Sequence, residues 1–262
     1  PQISTKKPLN TCSTSILMSG TLTPQKMYLD LLGLDVAKTN LSSYKSPFPQ
    51  ENKQNLIVDK VTTRYKERDE SMFKKIAWYL TKSMNVVPGN VGIFFPSYSL
   101  RDKIAEFMAP KAEKEMIKEK RNLNKKEKKE LFQDFADKKD VGAALLGVVR
   151  GSYSEGVDYP GELMKAVFIV GLPLKTPDLE TKSLIDFYDY KFDKGWEYGY
   201  SYPAVNKAIQ AAGRCIRSKE DKGVIVFLEE RYLWNNYRKV LPPEEDYRVS
   251  KAPWKQIEAF FN

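Results

Sequence analysis

The chain has 262 residues, of which 43 are Lys or Arg and 34 are Asp or Glu, for a formal net charge of +9. It contains no His and two cysteines, Cys12 and Cys215, which excludes Ser-His-Asp and Cys-His catalysis, HExxH zinc sites and a disulfide scaffold. A hydrophobic content of 42% supports a buried core, and the basic surplus points to polyanionic partners such as nucleic acid or nucleotide phosphates.

In chain order, Ser15-Ile16-Leu17-Met18 reads as a short strand feeding the turn Ser19-Gly20-Thr21-Leu22-Thr23-Pro24. Pro24 opens a helix over Lys26–Leu32 that Gly33 stops. A polar loop around Ser46-Pro47-Phe48-Pro49 leads to a strand at Leu56-Ile57-Val58. Met72, Ile76, Leu80 and Met84 recur every four residues, which predicts a helix with a buried stripe. Val91–Phe95 is a compact apolar strand, after which Ser99 and Asp102 suit a helix-capping box.

Residues 111–130 are dominated by Lys and Glu and read as a solvated helical excursion or as a basic rail for nucleic acid. Residues 143–149 and 166–170 are unbroken apolar runs, as expected of parallel strands buried on both faces. Thr176-Pro177 is expected to cap a helix carrying Leu179, Leu184, Phe187 and Tyr188. Ser201 is expected to cap a helix over 202–217, with Pro203 in its first turn. Residues 223–228 form the last central strand, and Trp254, Ile257, Phe260 and Phe261 suggest a closing amphipathic helix. No apolar run approaches the roughly 18 residues that span a bilayer, and no membrane partner is expected. Strands alternating with helices predict an α/β fold: a parallel sheet covered on both faces, with ligands beyond the carboxyl ends of its strands.

Three segments carry candidate chemistry. Arg150-Gly151-Ser152-Tyr153-Ser154-Glu155-Gly156-Val157-Asp158 follows a predicted strand. Its glycines allow close backbone approach, and its N–H groups and hydroxyls suit phosphate oxygens. Glu155 and Asp158 suit a ribose hydroxyl, a magnesium-bound water or a neighbouring Arg; an ordinary Gly/Ser turn is the alternative. At about 100° per residue, the helix 202–217 would place Asn206, Gln210, Arg214 and Arg217 opposite an apolar face. Gly213 would sit mid-helix, where close approach of a ligand or backbone would account for it. Two guanidiniums beside a Gln make a fork for a polyanion, unless carboxylates pair with them on a solvated face. Ser97 and Tyr98 stand at a helix start that suits a phosphate, or simple N-capping. Trp196, Tyr198, Tyr200 and Tyr202 would stack bases or pack under a loop.

In order and spacing these segments resemble the second motor domain of superfamily 2 helicases, in the branch of XPD and DinG, with XPD the nearer. Ser19-Gly20-Thr21-Leu22 resembles motif III, Phe94-Phe95-Pro96-Ser97-Tyr98 motif IV, residues 150–158 motif V and residues 210–217 motif VI. The resemblance implies a RecA-like domain, the second of a pair, in an ATP-dependent 5′→3′ DNA helicase. Arg214, Arg217 and Gln210 would be catalytic, the arginines acting as fingers on the γ-phosphate. Glu155, Gly156, Asp158 and Gly213 would line the nucleotide cleft. Ser97, Tyr98, Arg150, Gly151, Ser152 and Ser154 would hold single-stranded DNA. No metal ligand is expected in this chain.

The cofactors so implied are ATP and Mg²⁺, shared with a first motor domain. A 4Fe–4S cluster is expected in the parent protein rather than here. No GxxxxGK[ST] loop, DEAH box or cluster cysteines occur in the sequence, as expected of a fragment that begins inside the motif III strand and is inactive alone as an ATPase. The expected organisation is a motif III segment at an interdomain junction (1–33), a RecA-like domain (34–240, with a helical excursion about 100–140) and a C-terminal extension (241–262). Partners would be single-stranded DNA, the first motor domain and repair-complex proteins, in the cytoplasm of a prokaryote or the nucleus of a eukaryote. A DinG-like motor domain, a non-catalytic single-strand-binding module and an interaction domain stand as the alternatives.

Overall fold

A seven-stranded sheet organises the chain, and every strand pairing in it is parallel. The computed structural model describes all residues except 1, 155–158, 160–162 and 175. The strands are β1 (Lys53–Val58), β2 (Val91–Phe95), β3 (Glu115–Lys118), β4 (Ala143–Val148), β5 (Ala166–Val170), β6 (Gly223–Leu228) and β7 (Tyr247–Val249), arranged in the order β3-β4-β2-β5-β6-β1-β7. The helices are α1 (Gln2–Thr11), α2 (Gln25–Leu32), α3 (Glu70–Asn85), α4 (Tyr98–Met108), α5 (Lys125–Asp137), α6 (Leu179–Phe192), α7 (Tyr202–Ala212), α8 (Asn235–Arg238) and α9 (Pro253–Phe261).

The apolar runs are continuous because both sheet faces are covered. Along each strand, side chains alternate between the two faces. Ile57, Phe94, Leu145, Val167, Ile169, Ile225 and Phe227 pack on one side with α2, α5 and α7. Leu56, Val58, Ile93, Phe95, Leu146, Phe168, Val226 and Leu228 pack on the other with α3, α4 and α9. Each such side chain contributes on the order of 1.5–3 kcal/mol. The predicted stripe of α3 is buried at Ile76, Leu80 and Met84, and Gly33 stops α2 in the left-handed conformation at φ 69°.

Several local expectations are corrected. Residues 15–18 form no strand: α1 lies upstream, and Ile16 and Met18 are 79% and 84% exposed. Their backbone finds no ladder partner among the described residues. The Lys/Glu-rich excursion is helical over α5 but also contains the edge strand β3. Ser97, not Ser99, caps α4 by accepting the Leu100 N–H, and Asp102 instead pairs with Arg101. Asp178, not Thr176, caps α6 by accepting the Thr181 N–H. Ser201 caps nothing; its hydroxyl donates to the Trp196 carbonyl inside a π-helical turn, Glu197–Ser201, that runs into α7. Finally, α7 stops at Ala212, so Gly213 is its C-cap (φ −65°, ψ 2°) rather than a mid-helix residue. A Cβ at Gly213 would meet no protein atom closer than 3.5 Å, so close approach of another part of this chain does not account for it.

Candidate nucleotide and nucleic-acid site

The carboxyl ends of β2 and β4 are neighbours in the sheet, so the segments leaving them run side by side. Leaving β2, Ser97 is exposed, with its hydroxyl accepting the α4 N-terminal N–H. Tyr98 is half-buried, and the guanidiniums of Arg101 and Arg121 each lie 4.9 Å from its ring centroid. Burial and the nearby Glu119 charge push the Tyr98 hydroxyl pKa up, against the lowering pull of the two arginines. Tyr98 is thus a ring already flanked by cations, which favour its π-face.

Leaving β4, Arg150 is exposed and Gly151 begins a turn. The Ser152 N–H donates to Glu119 at 2.7 Å. The Ser154 hydroxyl is buried and donates to the carbonyls of Val149 (2.6 Å) and Gly151 (3.1 Å), which closes the turn. Below it, Tyr153 is fully buried and donates to the Lys128 carbonyl, and burial pushes its hydroxyl pKa up to about 12. Tyr159 in turn donates to the Tyr153 carbonyl at 2.8 Å. Glu155, Gly156 and Asp158, the expected nucleotide-facing residues of this segment, lie outside the described residues.

The Arg214 guanidinium reaches this turn: its Nε donates to the Ser154 carbonyl at 3.1 Å. Burial raises the Tyr159 pKa and Arg214 pulls it back, which places that cation beside the same segment. Arg214 follows the end of α7, and its neighbour Cys215 donates weakly to the carbonyls of Met164 and Val224 at the amino ends of β5 and β6. The arginines therefore do not sit beyond the carboxyl ends of the strands. Arg214 meets the segment that leaves β4 at the Ser154 carbonyl. Arg217 is exposed, and Asp221 holds its backbone by accepting the N–H groups of Arg217 (2.7 Å) and Ser218 (2.8 Å). Cys215 is a core residue; burial pushes its thiol up to about 12.

The motif III segment packs on the polar side of α7. Gln210 Nε2 donates to the Thr21 hydroxyl at 3.1 Å, and Asn206 Nδ2 donates to the Thr23 carbonyl at 3.1 Å. Tyr28 ties the same loop by donating to the Thr21 carbonyl. Beside it lies a cleft of about 240 Å³ lined by Thr21, Gln210, Gly213, Lys53, Asn55 and Tyr247. Gln210, Arg214 and Arg217 are thus brought to one end of α7, and Ser97, Tyr98 and Arg150–Ser152 to one stretch of the sheet's carboxyl edge. Ser154 links the two groups through its backbone.

Sequence reasoning missed Glu119 and Asp221, whereas Glu229-Glu230-Arg231-Tyr232, after the last strand, was part of the resemblance to the XPD and DinG branch. Asp221 was findable, since Ser218 followed three residues later by Asp is a local turn signature. Glu119 acts on residues 29 and 33 positions away in sequence and left no local signal. Among the described residues no group of three His, Cys, Asp or Glu could hold a metal ion, and no helix is long and apolar enough to cross a membrane. One exposed and one buried cysteine do not fit a 4Fe–4S cluster, which takes four thiolates.

The helicase C-terminal domain family matches residues 80–244, more than half of the chain. The regulator of telomere elongation helicase 1 homolog of Oryza sativa subsp. japonica is 27% identical, aligning 85% of this chain with 25% of its own length. The general transcription and DNA repair factor IIH helicase subunit XPD/RAD3 of Saccharomyces cerevisiae is also 27% identical, with 84% of this chain and 30% of that protein aligned. The chain spans about a quarter to a third of the length of these curated relatives. A solved structure of apo XPD superimposes with a TM-score of 0.67 at 26% identity, covering 93% of this chain and 50% of that one. The parallel sheet is RecA-like, and the chain belongs to the helicase C-terminal domain family, with its likeness to XPD-type helicases.

Proposed function

We propose that this chain is the second motor domain of an ATP-dependent 5′→3′ DNA helicase of the XPD type. The observation that carries the reading is the Arg214–Ser154 bond. It joins motif VI to motif V on the one sheet face where Gln210 also meets motif III. In this reading Arg214 and Arg217 point donors across a cleft at a nucleotide held mainly by a first motor domain, and Gln210 orients the attacking water or a phosphate oxygen. Guanidiniums fit this task because they stay charged and bond phosphate oxygens in pairs. Bound ATP·Mg²⁺ supplies the phosphoryl group and its leaving oxygen. The arginines stabilise charge that develops on that group, as an arginine finger does. Glu155, Gly156, Asp158 and Gly213 complete the nucleotide-facing surface.

Ser97, Tyr98, Arg150, Gly151 and Ser152 hold single-stranded DNA; Ser154, also expected to do so, is fully buried with its hydroxyl spent on the Val149 and Gly151 carbonyls, and it closes the turn beneath them. The exposed Arg150 and the Ser152 hydroxyl take phosphates, without regard to sequence. The residue ranges 1–33, 34–240 and 241–262 serve as junction, motor domain and extension. Mg²⁺ and a 4Fe–4S cluster are held by parts of the parent protein outside this chain. Excision repair, with repair-complex partners, is the pathway the XPD likeness favours, in the nucleus of a eukaryote or the cytoplasm of a prokaryote.

The test is ATP turnover by the purified chain, alone and after addition of a first motor domain from the same parent protein. The chain alone should hydrolyse no ATP above background, and the mixture should turn over ATP when single-stranded DNA is present. Turnover by the chain alone would contradict the assignment. A mixture that stays inactive, from a chain that still binds DNA, would favour a non-catalytic single-strand-binding module.

A further inference from the structure

Glu119 lies just past the end of β3, is 1% exposed, and has no role in the motifs. Its carboxylate accepts two backbone N–H groups on the neighbouring segment, that of Val148 at 3.0 Å and that of Ser152 at 2.7 Å, and is also hydrogen-bonded to the Tyr98 side chain. Its own carbonyl accepts the buried guanidinium of Arg101, which lies over the Tyr98 ring. One residue thus touches both segments assigned above to the DNA strand. Gly151 is shaped around it: a Cβ there would come within 2.4 Å and 2.6 Å of the two carboxylate oxygens. A buried carboxylate is costly unless hydrogen bonds satisfy it, and here the turn after β4 supplies them. In return, a charged acceptor holds those N–H groups more firmly than a neutral one would.

We propose that Glu119 is a positioning residue for strand binding: its carboxylate fixes the turn at Gly151–Ser152, and its carbonyl holds Arg101 and Tyr98 at a set distance from that turn. Glu119 does not touch the strand itself. The inference rests on the reading of this edge as the DNA grip, and it makes a prediction of opposite sign to simple electrostatics. Removing a negative charge near a polyanion should tighten binding if charge alone matters. Removing the group that shapes the grip should weaken it.

The experiment is fluorescence anisotropy of a labelled 20-nucleotide oligo(dT) titrated with the full 262-residue chain, over a series of KCl concentrations. Glu119→Gln should weaken binding about tenfold, the loss expected of a charge-assisted hydrogen bond, while leaving the salt slope unchanged. Arg150→Ala, by contrast, should lower the slope by about one phosphate contact. Gly151→Ala should weaken binding like Glu119→Gln, and should have little further effect when placed in Glu119→Ala, where its collision partner is gone. That cycle also keeps the test decisive if one variant folds poorly. Equal or tighter binding by Glu119→Gln, or additive effects of Gly151→Ala and Glu119→Ala, would overturn the inference and leave the DNA grip standing. A wild-type chain with no salt-dependent affinity would remove the grip, and the inference with it.

Discussion

Two buried carboxylates sit past the strand ends at opposite halves of the sheet, and they are satisfied in different ways. Glu229 follows β6 and is fully buried. It accepts Nε and Nη2 of Arg231 (both 2.8 Å), the hydroxyls of Thr62 (2.7 Å) and Thr63 (3.1 Å), and the Thr63 N–H (2.8 Å). Gly171 lies against this cluster at φ +68°, where a Cβ would fall 2.2 Å from the Thr63 hydroxyl. Glu119, at the other half, takes its carboxylate bonds from the backbone N–H groups of Val148 and Ser152 and from the Tyr98 side chain, and none from a guanidinium among the described residues. A carboxylate neutralised by its own Arg locks the ends of β1 and β6 together and leaves little charge to act elsewhere. One held by backbone amides sets the shape of the segment that donates them. The first arrangement stabilises the sheet; the second shapes the turn after β4.

The sharpest way to break this comparison is to truncate each group and measure unfolding by denaturant. Glu229→Ala leaves a buried guanidinium unpaired and should destabilise the chain by about 3–5 kcal/mol. Glu119→Ala leaves only neutral donors unsatisfied, two amides and the Tyr98 hydroxyl, for a loss of about 1–3 kcal/mol. Equal losses would dissolve the distinction.

A gentler probe is acid. Burial pushes the Glu229 carboxyl up, but Arg231 and the Thr63 and Thr62 donors outweigh it and hold its pKa below the usual carboxylate value. A depressed folded-state pKa means that the unfolded chain binds the proton more readily. The stabilisation is therefore present above the unfolded value of about 4.3 and is lost as pH falls through the folded one. Denaturation midpoints from pH 6 downward should show a fall below about pH 4.3 that is shallower in Glu229→Gln. Parallel pH profiles for the two proteins would show that the pair carries no such linkage.

Much of this architecture was legible in the sequence. The strands at 91–95, 143–148, 166–170 and 223–228 are short apolar runs because both of their faces are covered, and burial leaves that signature without ambiguity. The edge strands β3 and β7 were not legible. Glu115–Lys118 and Tyr247–Val249 each have a partner on one side only, so their exposed positions carry Glu, Lys and Arg like any loop. In the site, the order of the four motif segments was readable, whereas the bond from Arg214 to the Ser154 carbonyl was not, since it joins residues 60 apart through a backbone atom. Where α7 ends was not: the apolar spacing continues through Ile216, although that residue is buried by the turn after Gly213 rather than by a helix face. Contacts such as Glu119 to Ser152 span 33 residues and depend on β3 lying beside β4, which no local pattern encodes.

The central claim is that Arg214 serves phosphate chemistry while the edge beyond β2 and β4 serves the strand. Its most direct test is DNA-stimulated ATP turnover by a two-domain helicase carrying this chain, compared with its Arg214→Ala variant. The account predicts a loss of roughly a thousandfold or more in turnover, with affinity for single-stranded oligonucleotide kept within about twofold because Arg214 adds no phosphate contact to the strand. Turnover that survives the substitution, or DNA affinity that falls together with it, would contradict the account.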